Sequence, residues 1–397
     1  MINIKRIFRK MKLNEQELNL LHQGLGEQVP PIIEAWRIFK KNRLALWGLV
    51  IFIVFFIVAV SGLVMTSGDN PILDPAKVRL SEKLLKPFTS VDTEMIKPDD
   101  RPMFGVYLLG TDNLGRDIFA RMMQGAWVSL TVGFVAVGIA VVIGIIMGGI
   151  AGYYGTLRIK FSHVLCLTVF SIALIFLASG QMGLAIKAFL IALVVMVFSI
   201  IYYFLSVRGR VESKMFNLLF FDTFTVDTLI MRLVDIMLCF PSFFLILTIV
   251  AILPASIYNI MIVIGLTSWM GTTRFVRAEF LSLREQDFVS AARVMGIRDV
   301  SIIFRHMIPN AIAPVMVSAT IGIAGAILTE AGLSFLGFGV PPPHATWGNI
   351  LSDGKRFLFD APWLTYIPGL SILAVVLSFN LFGEGLRDAL NPKLRKR

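Results

Sequence analysis

The sequence predicts an all-α polytopic membrane protein, and three observations favour this fold class. Apolar residues make up 56% of the 397 residues and charged residues only 16%, whereas soluble domains carry about 25% charged residues. Mean hydropathy is +0.77. Apolar runs of about 20 residues, the length that crosses a bilayer as a helix, recur along the chain. A transmembrane β-barrel is disfavoured because its strands would be about 10 residues long with alternating polarity.

Eight apolar runs are candidate spans. They cover 44–65, 127–151, 162–180, 184–207, 229–253, 257–273, 311–331 and 363–383. A polar and basic lead precedes the first run and is too long for a cleaved signal peptide, so we expect an uncleaved first span. The third and fourth runs are separated only by a short turn at 179–183. A tight helical hairpin fits this pair, and two interfacial segments are the alternative.

The basic residues predict an orientation. If the N-terminus is cytoplasmic, the inner segments hold 25 Lys and Arg residues and the outer segments hold 11. Cytoplasmic loops carry such an excess, so we expect both termini in the cytoplasm. The predicted organisation is a cytoplasmic segment (1–43), a first transmembrane helix (44–65), an extracytoplasmic loop with an interfacial helix (66–126), a transmembrane domain (127–383) and a cytoplasmic tail (384–397).

On the predicted cytoplasmic side, the longest polar segment between spans is the loop 274–310. Within it, Phe288, Ala291, Ala292 and Met295 recur at i, i+3, i+4 and i+7, a spacing that places them on one helix face. The small alanines would let another protein surface approach the helix backbone closely. The alternative is an amphipathic helix that lies on the lipid headgroups, which the six arginines of the loop would favour. The sequence pattern supports the two interpretations equally.

Two residues predict how this loop is divided. Gly296 suits the C-cap of a helix, and Pro309 comes just before the next apolar run. Because proline seldom continues a preceding helix, the loop is predicted to hold two short helices with a bend at Gly296.

The order of residues in this loop resembles the signature of binding-protein-dependent ABC importer permeases. Ala291-Ala292 is followed after three residues by Gly296, and after ten more by Met307-Ile308-Pro309. In that family the loop forms a cytoplasmic coupling helix that docks into a groove on the ATP-hydrolysing subunit. The resemblance therefore implies an ATPase-docking set of Phe288, Ala291, Ala292, Arg293, Met295 and Gly296.

The loop departs from the family pattern at three positions. Ser290 stands where the family has glutamate before the two alanines, and His306 and Ile308 stand at the Ile and Leu of its Ile-x-Leu-Pro pattern. A salt bridge from position 290 to the ATPase is therefore not expected. The segment 305–310, Arg-His-Met-Ile-Pro-Asn, is similar to the form found in the oligopeptide, dipeptide and nickel branch.

Further segments resemble the same branch. They are 110–117 (GTDNLGRD), 331–339 (AGLSFLGFG), 341–348 (PPPHATWG), 361–363 (APW) and 380–392 (NLFGEGLRDALNP). Together the resemblance implies a bundle of about six core-type spans and covers roughly 35–155 and 227–393. The intervening 156–226, with the third and fourth runs, is a two-span insertion. It is either a lipid-facing hairpin or a dock for an extra partner.

Sequence motifs for catalysis and metal binding are absent. No G-x-x-x-x-G-K-[ST] loop can cradle ATP phosphates, and there is no nucleophile elbow or H-E-x-x-H pair. Cys166 and Cys239 lie in apolar runs, and the four histidines are scattered. We therefore expect no enzyme activity, no metal and no cofactor on this chain, with ATP and Mg on partner subunits.

The resemblance implies a permease subunit that forms half the pathway of an ATP-driven oligopeptide or dipeptide importer in the bacterial inner membrane. Its implied partners are a second homologous permease, two ATP-binding subunits and an extracytoplasmic binding protein received by 66–126 and 332–362. The alternatives are a nickel-chelate or other small-solute permease of this branch, an ion-coupled secondary carrier, and a scaffold or sensor. No substrate-binding residue is identified.

Three charged residues and a proline within the apolar runs predict local features of the spans. Arg232 and Asp235 are three residues apart and favour a local ion pair over a functional role. Pro241 is predicted to kink its helix. Glu330, at the outer end of its run, either contacts substrate or is hydrated at the interface.

A four-residue repeat of glycines lies in the second apolar run. This spacing is typical of a close-packing face between membrane helices. The three glycines of the repeat are Gly144, Gly148 and Gly152.

Overall fold

The chain is mainly helical in the computed structural model, which confirms the predicted class. The residues described are 31–68, 71–92, 96, 101–160, 171, 183–184, 186–187, 189–191, 193–194, 197 and 222–390. The helices are α1 (Pro31–Lys41), α2 (Arg43–Thr66), α3 (Ile118–Tyr153), α4 (Val226–Cys239), α5 (Ser242–Ile252), α6 (Ile257–Leu266), α7 (Trp269–Arg284), α8 (Asp287–Val294), α9 (Asp299–Ile302), α10 (Ile308–Phe335), α11 (Trp347–Gly354) and α12 (Trp363–Leu390).

Two short antiparallel strand pairs accompany the helices. Strand β1 (Thr89–Ser90) pairs with β2 (Val106–Tyr107) in the segment before α3. Strand β3 (Arg158–Lys160) pairs with β4 (Asp222–Thr225), just after α3 and just before α4. The second pair brings the two ends of the 156–226 insertion together, so the insertion leaves and rejoins the bundle at one place. The predicted runs 162–180 and 184–207 lie outside the described residues, apart from isolated positions.

Within the described residues, four helical segments are long and apolar enough to cross a membrane. They are Arg43–Thr66, Ile118–Tyr153, Asp299–Phe335 and Trp363–Leu390, and each contains one predicted run. A fifth candidate is the pair α4 and α5, which bends by 80°. Pro241 separates the two helices, which confirms the predicted kink, because proline lacks the N–H that would continue the ladder.

The expectation of one helix over 257–273 is wrong. Helix α6 ends at Leu266 and α7 begins at Trp269. Between them, the hydroxyl of Thr267 donates to the carbonyl of Val263 at 2.7 Å, and that of Ser268 donates to the carbonyl of Ile264 at 2.6 Å. These local bonds compete with the helical ladder and mark the break.

The expected interfacial helix before residue 127 is also not a separate element. Asp117 caps α3 by accepting a hydrogen bond from the backbone N–H of Phe119 at 2.8 Å. From there the helix continues unbroken to Tyr153. No proline interrupts 118–126, and the added turns pack against α11, where the indole N–H of Trp347 donates to the carbonyl of Met122.

The glycine repeat of α3 packs against α7, which confirms the predicted close-packing face. A Cβ atom added at Gly144 would lie 2.6 Å from Thr272, and one at Gly148 would lie 2.6 Å from the carbonyl oxygen of Thr273. One at Gly152 would lie 2.5 Å from the Cβ of Phe280. Only glycine permits backbones to approach this closely, so α3 and α7 form one packed unit.

A largely buried ionic cluster fixes the segment before α3 to the start of that helix and to α11. Asp112 accepts hydrogen bonds from Arg116 and Arg121, each at 2.6 Å. Both arginines also reach Asp353 of α11, at 3.1 Å and 3.0 Å. Two cations and two carboxylates balance each other here, which offsets the cost of burying the charges. The cluster therefore ties the segment before α3 and the loop between α10 and α12 to the helix bundle.

Candidate functional site

The loop 274–310 contains the short helix α8 and a sharp turn after it. Gly296 has φ of +72°, a conformation that favours glycine. The backbone N–H of Ile297 donates to the carbonyl of Ala292 at 3.1 Å, and that of Gly296 to Arg293 at 2.9 Å. These bonds close the C-terminus of α8. The predicted first helix and its bend at Gly296 are therefore confirmed.

The second helix of the loop is not separate from the next span. After α9, the π-helical turn Ile303–Met307 leads directly into α10, so one continuous helical segment runs from Asp299 to Phe335. Pro309 lies in the first turn of α10, directly after the π turn, and a local π adjustment lets a spanning helical segment tolerate a proline inside it. The expectation that it closes the loop before the span is wrong.

Helix α8 exposes one part of its predicted apolar face and buries another. Phe288 is 40% exposed and Met295 is 70% exposed, and Ala291 is exposed between them. Ala292 is only 1% exposed and packs inward beside Val289. The expectation that Ala292 shares the outward face is wrong, because its side chain contacts the chain's own core.

A compact apolar cluster holds the inward face of α8. It joins Val289 and Ala292 to residues of α3, α7, α9, the π turn and α10. The other members are Tyr153, Val276, Phe280, Ile302, Met307, Ala311 and Val315. The cluster therefore connects α8 to two spanning segments, α3 and the segment that includes α10.

Tyr153, the last residue of α3, adds polar contacts that sequence reasoning did not identify. Its hydroxyl donates to Asp299 Oδ1 at 2.6 Å. The guanidinium of Arg293 lies 5.1 Å from the centre of its ring, close enough for a cation–π contact. Of the predicted docking residues, Arg293 therefore leans onto α3, while Gly296 is exposed at the turn.

Two ion pairs link α4 to α7. Arg277 forms a bidentate ion pair with Asp227, and its Nη2 lies 2.5 Å from Asp227 Oδ2. Arg274 donates to Asp235 at 2.6 Å, whereas the predicted local partner Arg232 is 3.9 Å from Asp235 and largely exposed. The local pair exists, but the closer partner of Asp235 lies on another helix.

We expect Asp227→Asn to lower the free energy of unfolding by about 1 kcal/mol, because the bidentate ion pair with Arg277 is mostly shielded from water. The matched change Asp235→Asn, on the same helix but in an exposed pair, should cost less than about 0.5 kcal/mol. Thermal unfolding of the purified chain in detergent measures both. Equal losses for the two variants would contradict this ranking.

Glu330 is fully buried, so the expectation of a hydrated position is wrong. Its carboxylate accepts hydrogen bonds from Ser334 at 2.7 Å and from Ser129 of α3 at 3.4 Å. The hydroxyl of Ser129 is in turn 3.4 Å from the backbone N–H of Trp347. Glu330 thus joins α3, α10 and the loop between α10 and α12, and both of its carboxylate oxygens accept hydrogen bonds from the chain itself.

The described residues contain no group of three or more His, Cys, Asp or Glu side chains that could hold a metal ion. Cys239 is a free, exposed cysteine, and Cys166 lies outside the described residues.

Comparison with known families and proteins agrees with the geometry of the loop. Residues 221–396 match the family described as "Binding-protein-dependent transport system inner membrane component". Residues 31–87 match the "N-terminal TM domain of oligopeptide transport permease C". The first match begins at the end of the insertion and includes the whole of the loop 274–310.

Three similar proteins span nearly the whole chain. The dipeptide transport system permease protein DppC of Alkalihalophilus pseudofirmus is 35% identical over 92% of this chain and 91% of its own length. The DppC protein of Haemophilus influenzae is 31% identical over 92% of this chain and 96% of its own length. The oligopeptide transport system permease protein OppC of Bacillus subtilis is 29% identical over 90% of this chain and 88% of its own length. The chain therefore belongs to the family of inner-membrane components of binding-protein-dependent transport systems, in its oligopeptide and dipeptide permease branch, and is a multi-pass transport subunit rather than an enzyme.

Proposed function

We propose that this chain is one of two permease subunits of an ATP-driven importer of short peptides. It pairs with a second, homologous permease, binds two cytoplasmic ATP-binding subunits that carry ATP and Mg, and receives peptides from an extracytoplasmic binding protein. The identity to three proteins named as dipeptide or oligopeptide permeases supports the substrate class. The excess of basic residues in the inner segments supports a cytoplasmic position for both termini.

The main structural support for this proposal is the outward face of α8. Phe288, Ala291 and Met295 present apolar surface on a polar loop whose helix is fixed to the bundle by its other face. An exposed apolar patch on a helix anchored in this way is typical of a protein–protein interface. The ATP-binding subunit is the partner that the family resemblance of the loop implies.

The coupling path follows from the packing. When the ATP-binding subunits close on ATP, they displace α8. The apolar cluster passes the displacement to α7 and α10, and Tyr153 passes it to α3. Because α3 and α7 are held together at the glycine repeat, they move as one unit and change access to the pathway on the two sides of the membrane.

Peptide-stimulated ATP hydrolysis tests the substrate proposal. The complex, purified from its native membrane and reconstituted with its binding protein, is expected to hydrolyse ATP faster with dipeptides or oligopeptides. Stimulation by nickel chelates but not by peptides would favour the alternative permease of the same branch. Purification of the chain without any ATP-binding subunit would contradict the proposal and favour an ion-coupled carrier.

We expect Tyr153→Phe to reduce peptide transport several-fold while ATP hydrolysis and subunit association are retained. The variant keeps the ring beneath Arg293 but removes the hydroxyl that donates to Asp299. Counting peptides imported per ATP in proteoliposomes measures the loss. The neighbouring change Tyr154→Phe is the control and should leave this ratio unchanged. A parallel fall of transport and hydrolysis in Tyr153→Phe would argue against a transmitting role.

A further inference from the structure

The short helix α1 meets the first span at a defined break. Helix α1 ends at Lys41 and α2 begins at Arg43, while Asn42 between them is extended, with φ of −86° and ψ of 99°. Its side-chain oxygen accepts from the N–H of Ala45 at 3.2 Å, and its amide donates to Asp388 at 3.5 Å. Because α2 is a membrane span from its first residues, α1 lies where the apolar core of the bilayer gives way to the headgroups.

One face of α1 is anchored in the protein. Phe39 is buried and meets the ring of Phe382 edge-on, with 5.8 Å between centroids. A Cβ atom added at Gly385 would lie 2.9 Å from the Phe39 ring, so α12 approaches this side chain as closely as glycine allows. Phe39 therefore determines which way the rest of α1 faces.

The rest of α1, beginning beside Phe39, exposes a surface that combines apolar and basic side chains. Its members are Ile33, Trp36, Arg37, Lys40 and Lys41. Trp36 stacks on Phe39 with 5.6 Å between ring centroids, and the ammonium of Lys40 lies 5.2 Å from the Trp36 ring. Exposed tryptophan is typical of the membrane interface, and basic side chains at that depth attract anionic lipids.

The charge of this face is not neutralised within the described part of the chain. No ion pair there involves Arg37, Lys40 or Lys41. The nearby carboxylate of Asp388 is hydrogen-bonded to Asn42. An anionic partner would meet these exposed basic side chains, and the phospholipid headgroups beside α2 are already at this level.

We propose that the exposed face of α1 binds anionic phospholipid headgroups, with Trp36 inserted at the interface and Lys40 and Lys41 contacting the phosphates. This surface makes the chain a lipid-recognising subunit independently of the solute it transports. The inference rests on the membrane location of the chain and not on the proposed peptide substrate.

Lipid retention by the full-length chain tests the proposal. The chain is placed in nanodiscs of phosphatidylcholine with or without phosphatidylglycerol, and bound lipids are counted by native mass spectrometry. Lys40→Gln/Lys41→Gln should weaken phosphatidylglycerol retention by about fivefold per lysine removed and leave phosphatidylcholine retention unchanged. Residues 1–30 stay the same in every variant, so their charges are common to all samples.

Two matched variants complete the test. Lys40→Arg/Lys41→Arg keeps the charge and should retain phosphatidylglycerol. Lys83→Gln/Lys86→Gln removes two exposed lysines of the outer segment and should also retain it. Unchanged retention in Lys40→Gln/Lys41→Gln would overturn the proposal, as would an equal loss of both lipids. Displacement of the lipid by inorganic phosphate would show a general anion site and would overturn it too.

Discussion

Ala291→Glu is expected to abolish peptide uptake and to release the ATP-binding subunits without preventing membrane insertion. Ala291 is exposed on α8 between Phe288 and Met295, so in the isolated chain the new carboxylate faces water and changes the free energy of unfolding by less than about 0.5 kcal/mol. In the docked complex the same carboxylate would be buried without a partner. That costs about 3 kcal/mol, or roughly a hundredfold in affinity.

Ser290→Glu is the matched control for this prediction. It introduces the same carboxylate one residue away, at an exposed position on the far side of the helix from Phe288. It also restores the glutamate of the family pattern. We expect normal uptake and normal retention of the ATP-binding subunits, measured by transport assay and by quantitative pull-down. Equal behaviour of the two variants would show that the outward face of α8 is not a docking surface.

Gly148→Leu is expected to prevent the stable assembly of α3 with α7. A Cβ atom at this position would lie 2.6 Å from the backbone carbonyl oxygen of Thr273 and 2.8 Å from the Cβ of Val276. Because a backbone atom cannot rotate away, the helices must separate, at a cost of about 3 kcal/mol or more. The variant should accumulate poorly in the membrane and unfold at a lower temperature in detergent.

Gly138→Leu tests whether this effect is specific to the packed face. Gly138 lies on the same helix, and a Cβ atom added there has no neighbour within 4 Å. Leucine also has a higher helix propensity than glycine. We expect this variant to insert and unfold like the unchanged chain. If both leucine variants were lost from the membrane, general intolerance of α3 to substitution would replace close packing as the explanation.

Most spans could be predicted from the sequence because a long apolar run is a local signal. The same holds for the end of α8, where Gly296 alone supplies the positive φ. The break at Thr267 and Ser268 was missed because hydroxyl residues in an apolar run are compatible with a continuous helix. Only their bonds to the preceding turn show where the helix is interrupted.

The orientation of α8 could not be predicted from periodicity. Spacing shows which residues share a face, but the face that turns inward depends on distant partners. Ala292 is buried by a cluster that includes Tyr153 and Phe280, and Tyr153 is 146 residues from its partner Asp299. Such a contact leaves no local pattern, so periodicity assigns Ala292 to the exposed face and gives no signal for Tyr153.

Cross-linking from position 295 tests the central claim most directly. Met295→Cys is introduced into a chain whose Cys166 and Cys239 are replaced by serine, the new thiol is labelled with a short reagent that carries a photoactivatable group, and native membranes are irradiated. We predict a product that joins this chain to an ATP-binding subunit and whose yield changes with ATP. A cysteine at Phe359, which is 95% exposed on the outer loop, should give no such product. If Met295→Cys forms no link to an ATP-binding subunit while peptide uptake is intact, the proposed docking through α8 is contradicted.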